Sequence, residues 1–252
     1  MWAPVARTLL TRGAVPAGQD LIVVGGELDP DLVLSAYRHG LFPMGTGGAG
    51  APPIGWWSPD PRGVLLPGGL HVSRSLARSR RRFEVSLDTD FDAVVRACAD
   101  PRRSGRWITP AIIETYGELH RRGDAHSIEV RREGRLVGGL YGIAIGGLFA
   151  GESMFHRERD ASKVALAALV DLVFGVAAAS PGDPGTGEAS GAEAAGPDDA
   201  ATRIIDVQWS TPHLASLGVV EVARADYLRR LARATDAPAP RALAEPGRLT
   251  FS

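Results

Sequence analysis

Three runs of strand-forming residues, 127–131, 136–145 and 148–155, are joined by short turns at Glu133-Gly134 and Gly146-Gly147. Two-residue turns carrying glycine are the strongest short-range hairpin signal, because the left-handed backbone they permit matches the twist of the paired strands. The spacing predicts an antiparallel meander of three strands, and the flanking segments must cover its apolar side. Upstream, residues 29–39 read as a helix. Asp29 is its N-cap, Pro30 takes the first turn and Gly40 supplies the left-handed stop. Further helices are predicted over 73–82, from Asp90, with Phe91, Val94, Val95 and Cys98 on one face, and from Thr109 to Gly123. Downstream, a helix starts at Asp160 or Ser162. Strands follow at 204–209 and 219–222, then a helix over 226–234 and a loose tail after Thr235.

Residues 56–62 carry Pro59 and Pro61, which exclude a regular helix or central strand and leave a loop or sheet edge. A domain boundary is placed there, giving a small N-terminal domain over 1–60 and a larger domain over 61–252. Residues 177–202 lack any large apolar side chain and are read as a disordered insertion. The fold class is α/β of the α+β kind. Helix, antiparallel strands, helix, strand is also the chain order of a GNAT-like acyltransferase core with a mainly antiparallel sheet.

At 252 residues and 44% hydrophobic content, the chain can fill such cores, and its formal net charge of −1 means that nucleic acid would need a local basic patch. The single cysteine, Cys98, excludes an internal disulfide and a Cys-based zinc site, and sits on a core face. The six histidines show no metal-ligand spacing, so no metal is expected. No apolar run reaches the ~20 residues of a membrane helix, and no signal-peptide core is visible in residues 1–20. The expected location is the cytoplasm.

Four features bear on chemistry. Strict alternation over 204–209 puts Asp206 and Gln208 on one face, ~6–7 Å apart, either lining a wet cleft or simply meeting solvent. Glu152 interrupts the apolar run 148–155, either pointing outward or awaiting a cation. Arg74, Arg78, Arg81 and Arg82 fall at i, i+4, i+7 and i+8, with Arg80 off that face. Such a stripe can track phosphates, and a solvated basic face is the simpler alternative. The turn at 156–160, His-Arg-Glu-Arg-Asp, lacks the glycines that would expose amides to a pyrophosphate, which argues against acetyl-CoA.

These segments together resemble the leucyl/phenylalanyl-tRNA–protein transferases. The matching stretches are Gly25-Gly26-Glu-Leu-Asp-Pro, Ala36-Tyr37-Arg38-His-Gly40-Leu-Phe42-Pro43, Trp56-Trp57-Ser58-Pro59-Asp60-Pro61-Arg62 and His71-Val-Ser73-Arg74-Ser75. Further matches are Trp107-Ile-Thr109, His126-Ser127-Ile-Glu129-Val, Gly138-Gly139-Leu-Tyr141-Gly142, Gly151-Glu152-Ser153-Met154-Phe155, Ala161-Ser162-Lys163, Ile205-Asp206-Val-Gln208 and Ala215-Ser216-Leu217-Gly218. The resemblance runs from about residue 21 to 234. It implies that a GNAT-like domain uses aminoacyl-tRNA in place of acyl-CoA, without a cofactor. Leu or Phe, and less readily Met, would pass to proteins beginning with Arg or Lys and mark them for N-end-rule degradation.

The resemblance further implies that Asp206 and Gln208 form a catalytic pair with Glu152 as the acidic residue of the site. Leu140, Phe149, Met154 and Leu169 would line the aminoacyl pocket, Trp107 would flank the terminal adenosine, and Arg74, Arg78, Arg81 and Arg82 would bind tRNA. Met44 stands where the family commonly has tryptophan, so an aromatic contact to the adenosine is missing, for which Trp56 or Trp57 could compensate. The alternatives are a CoA-dependent small-molecule N-acyltransferase, against which the missing glycines count, and a non-catalytic tRNA-binding protein, against which the retained Asp206, Gln208 and Glu152 count.

Overall fold

A computed structural model describes residues 15–16, 18–103, 105–175 and 197–249. Strands β1 (Leu21–Val24), β2 (Phe42–Gly45) and β3 (Ile54–Trp57) form a three-stranded antiparallel sheet in the order β1-β3-β2, with helix α1 (Pro30–Arg38) between the first two in sequence. As its sequence predicts, α1 is capped by Asp29, whose side chain accepts from the Leu32 amide at 3.0 Å.

The second sheet has eight strands. β4 (Arg62–Leu65), β5 (Glu84–Leu87), the meander β6 (Ala125–Arg132), β7 (Arg135–Ile145) and β8 (Leu148–His156), then β9 (Ile204–Gln208), β10 (Val220–Val222) and β11 (Gly247–Leu249) lie in the order β10-β4-β9-β8-β7-β6-β5-β11. Every pairing is antiparallel except that of β8 with β9. Helices α2 (Arg74–Arg80) and α5 (Ala161–Phe174) contribute to one core, through Leu76, Val164 and Leu169. Helices α3 (Phe91–Cys98), α4 (Pro110–Arg121) and α8 (Arg224–Asp236) share the other with Tyr37 of α1 and with Ile54 and Trp56 of the N-terminal sheet. The predicted meander and helices are present, and the architecture is α+β. Among the described residues no helix is long and apolar enough to cross a membrane.

Several expectations are corrected. The Trp pair belongs to β3, the central strand of its sheet, and β4 starts at Arg62 inside the large sheet. Pro59 and Pro61 therefore fall in the short passage between two interior strands, which proline content alone cannot distinguish from an edge. The tail after Thr235 is not loose: a 3-10 turn buries Leu243, and β11 completes the sheet edge on β5. Of the insertion read over 177–202, residues 177–196 lie outside the described residues, and the rest forms helix α6 (Pro197–Thr202), in contact with α5 and α8; the short α7 (Pro212–Ser216) follows β9.

Candidate active site

The parallel pairing of β8 with β9 runs Leu148↔Ile204, Phe149↔Ile205, Ala150↔Asp206 and then stops. Beyond that point both strands bulge. β7 pairs Tyr141 with Ser153 and Gly142 with Gly151, so Glu152 is the extra residue on β8. β4 pairs Val64 with Asp206 and Gly63 with Gln208, so Val207 is the extra residue on β9. A bulge re-aims the side chains after it. Here the strict alternation of 204–209 fails, and Asp206 and Gln208 do not share an environment.

Asp206 is fully buried and lines neither cavity described below. Arg62 donates to it twice, Nε to Oδ1 at 2.8 Å and Nη2 to Oδ2 at 2.6 Å. The Tyr227 hydroxyl donates to Oδ2 at 2.8 Å, and the Gln208 amide to Oδ1 at 2.9 Å. This two-point guanidinium–carboxylate pair is a strong, geometrically specific contact. Burial works most strongly against the Arg62 charge, but Asp206, Tyr227 and Tyr37 together outweigh it and keep the guanidinium titrating above its ordinary range. The wet cleft expected around Asp206 is thus replaced by a closed ion pair.

Gln208, whose backbone N–H donates to Asp206, sits at φ +60°, a left-handed conformation uncommon outside glycine. Its side chain is buried, and its Nε2 donor has no partner among the described residues. A buried donor left unmatched is rare enough to need a reason. Gln208 borders both cavities, where an incoming group can satisfy it.

Glu152 points inward, held by the hydroxyls of Tyr37 and Tyr116. Desolvation pushes its carboxyl up to about 8, against the pull of the two tyrosines. It was expected to face solvent or await a cation; instead tyrosines hold it, largely as the neutral acid at pH 7.

Two cavities meet along Glu152, Val207, Gln208 and Thr211. One, about 350 Å³, is apolar at its far end, with Leu140, Met154, Leu166 and Leu169. The other, about 270 Å³, is aromatic, with Phe42, Met44, Trp107 and Trp209. Leu140, Met154 and Leu169 therefore meet in one cavity, and Trp107 lines the neighbouring one. Phe149 does not line either cavity; it is buried in the core. Neither Trp56 nor Trp57 fills the place beside Met44. Trp56 is buried and donates to the Gly25 carbonyl at 2.9 Å, while Trp57 donates to the Met44 carbonyl at 3.0 Å. The aromatic wall comes from Trp209 instead.

Gly50 makes the position of Trp107 possible. At φ +78° it approaches so closely that a Cβ would lie 2.3 Å from the Trp107 carbonyl oxygen.

The basic stripe is shorter than expected. Helix α2 ends at Arg80, so Arg74 and Arg78 share its exposed face, Arg81 caps it and Arg82 lies beyond. Arg80 is off that face, as read, and pairs with Asp171. At the N-terminus of α5 the Asp160 carboxylate accepts from Ser79 at 3.0 Å and pairs with Lys163 at 3.2 Å. A resident carboxylate there repels a pyrophosphate, in line with the missing glycines. Among the described residues no group of three His, Cys, Asp or Glu side chains could hold a metal ion.

Arg62, Tyr37, Tyr116, Tyr227 and Trp209 were not singled out from sequence. Arg62 carried a usable signal, an arginine opening the apolar run Gly-Val-Leu-Leu. The tyrosines did not, since a tyrosine on an apolar helix face reads as core.

Fold and site together define an α+β protein with two chambers meeting at a polar junction. Residues 26–60 match the family described as leucyl/phenylalanyl-tRNA protein transferase, N-terminal domain, and residues 64–177 match the leucyl/phenylalanyl-tRNA protein transferase family. The chain is 49% identical over 222 residues to the leucyl/phenylalanyl-tRNA–protein transferase of Pseudomonas putida, covering 86% of each chain. It is 45% identical over 243 residues to that of Chromohalobacter salexigens, covering 94% of this chain and 84% of the other. The chain belongs to the leucyl/phenylalanyl-tRNA–protein transferase family, and is an enzyme of the aminoacyltransferase class.

Proposed function

We propose that the protein transfers Leu or Phe, and less readily Met, from aminoacyl-tRNA to the N-terminal Arg or Lys of acceptor proteins, marking them for N-end-rule degradation. The observation that carries this reading is the meeting of an apolar and an aromatic chamber at Glu152 and Gln208. An aminoacyl side chain fits the first, the terminal adenosine fits the second, and the ester joining them then lies at the junction. The relatives' names give the donor and the two amino acids. The reading treats residues 1–60 and 61–252 as two domains; the change of sheet between Trp57 and Arg62 supports it.

The reaction is aminolysis. The neutral α-amine of the acceptor attacks the ester carbonyl, a C–N bond forms, the C–O bond to the ribose breaks, and the departing oxygen takes up a proton lost by the amine. An α-amine with pKa about 7.7–8.0 is roughly a tenth neutral at pH 7, so no strong base is required and positioning supplies much of the rate. In this reading the Gln208 amide orients the reactants at the junction. Asp206 acts by fixing Gln208, its own oxygens already being engaged by Arg62 and Tyr227. A cationic acceptor terminus beside Glu152 favours its carboxylate form, so acceptor binding releases a proton.

The test offers the protein radiolabelled Leu-tRNA or acetyl-CoA with a peptide beginning with Arg. Label is expected to pass from Leu-tRNA alone. In single-turnover transfer, Asp206→Asn is expected to slow turnover far more than it weakens Leu-tRNA binding. Transfer from acetyl-CoA, or a parent-like rate for Asp206→Asn between pH 6 and 9, refutes the reading.

A further inference from the structure

Trp209 follows Gln208 directly and forms one wall of the aromatic cavity, with Trp107 elsewhere on its lining. Its indole is not free to turn. Nε1 donates to Asp20 Oδ2 at 3.0 Å, across 189 residues of sequence. Phe42 meets its ring edge-to-face at 5.0 Å and 88°, and Trp57 at 6.0 Å and 67°. Asp20 is itself anchored, because its other oxygen accepts from the Asp60 amide at 3.2 Å. Arg224 ties the same corner together through the Gln19 and Ser58 carbonyls, at 2.7 and 2.9 Å.

Indole has a single hydrogen-bond donor and no acceptor. With that donor spent on Asp20, the ring has no further hydrogen bond to give and meets the cavity through carbon. Such a wall favours a flat, electron-poor heteroaromatic ring, which can stack on it, over an aliphatic or anionic group. Gln208, Glu152 and Thr211, polar side chains of the cavity, lie at its junction with the apolar chamber. A planar group with a reactive ester attached therefore has one consistent orientation, with its ring on Trp209 and its ester at the junction.

We propose that Trp209 is the stacking surface for the nucleobase of the donor, and that Asp20 is a positioning residue that fixes the indole for it. This rests on the transfer reading for the identity of the donor, but the stacking is measurable without transfer. The probe is a non-hydrolysable phenylalanyl-adenosine amide, titrated calorimetrically into the full-length protein, alongside steady-state transfer of Leu from Leu-tRNA to an Arg-starting peptide.

Trp209→Leu is expected to weaken probe binding about 5- to 150-fold, the usual worth of one base–aromatic stack. Trp209→Phe keeps a ring and is expected to retain most of the affinity. Asp20→Ala leaves the indole in place but unfixed, and is expected to raise KM for Leu-tRNA while leaving kcat within about 2-fold. Asp20→Asn retains an acceptor oxygen and is expected to restore KM. Parent-like probe binding by Trp209→Leu overturns the stacking role. Should that variant fail to fold, parent-like probe binding and KM in Asp20→Ala overturn the proposal. A parent protein that does not bind the probe overturns it as well. A parent that binds the probe but transfers nothing refutes the transfer reading and leaves the stacking intact.

Discussion

Glu152 shows how a single bulge sets the chemistry of one residue. As the unpaired extra residue on β8 it turns towards Tyr37 and Tyr116, and desolvation pushes its carboxyl up to about 8. The sign of the consequence follows from linkage. A carboxyl raised above its unfolded value binds more protons in the native state. Its stabilising effect is therefore complete below the ordinary glutamate range and is lost as pH rises through about 8. Glu152→Gln removes the titration while keeping an acceptor for the tyrosine hydroxyls. The parent is expected to lose more melting temperature than Glu152→Gln between pH 6 and 9. Thermal unfolding of the two proteins across that range checks this, and parallel curves would show the carboxyl to be ionised in the native state. The sequence marked Glu152 as anomalous within an apolar strand, but its direction depended on a bulge whose partner residues lie on β7.

At the scale of elements, α2 is a short helix docked by its inner face. Ser73 caps it through the Leu76 amide at 3.1 Å, Leu76 and Ser79 are buried, and Arg80 reaches Asp171 on α5. That docking leaves Arg74 and Arg78 on the outer face. Changing both to Ala is expected to weaken tRNA binding equally for all tRNAs and to flatten the salt dependence of log K by about one unit per lost phosphate contact. Filter binding over a range of salt concentrations measures this, and an unchanged slope identifies the stripe as solvated surface. The i, i+4 pair was legible because both residues fall inside the helix. Arg81 and Arg82 fell outside because α2 ends at Arg80, an end not marked by glycine or proline. β11 was illegible for a related reason: a strand of three residues gains its stability from the edge of β5, not from its own composition.

At the scale of the whole molecule, the site is assembled from remote segments. Tyr37 comes from α1, Arg62 from β4, Glu152 from β8, Asp206 and Gln208 from β9, and Tyr227 from α8. One corner of the N-terminal sheet is tied to the rest by the buried Arg224, which holds the carbonyls of Gln19 and Ser58 while its amide donates to Asp60 at 3.0 Å. Arg224→Met keeps the packed stem and strands those two carbonyls. It is expected to cost about 1–3 kcal/mol of stability, and to speed hydrogen exchange along β1 before other strands. Urea unfolding and exchange mass spectrometry test both. Protection in β1 equal to the parent's would mean that the sheet is held elsewhere. The sequence by itself determined the meander, the capped helices and the identity of the polar residues that interrupt apolar runs, because turn chemistry, capping and the periods of 2 and 3.6 act between near neighbours. Tertiary structure alone decided that Asp206 is closed in an ion pair, that Gln208 faces the chambers, and that Glu152 holds its proton. Each of those depends on register and burial set by residues far away in the chain, and local pattern carries no record of them.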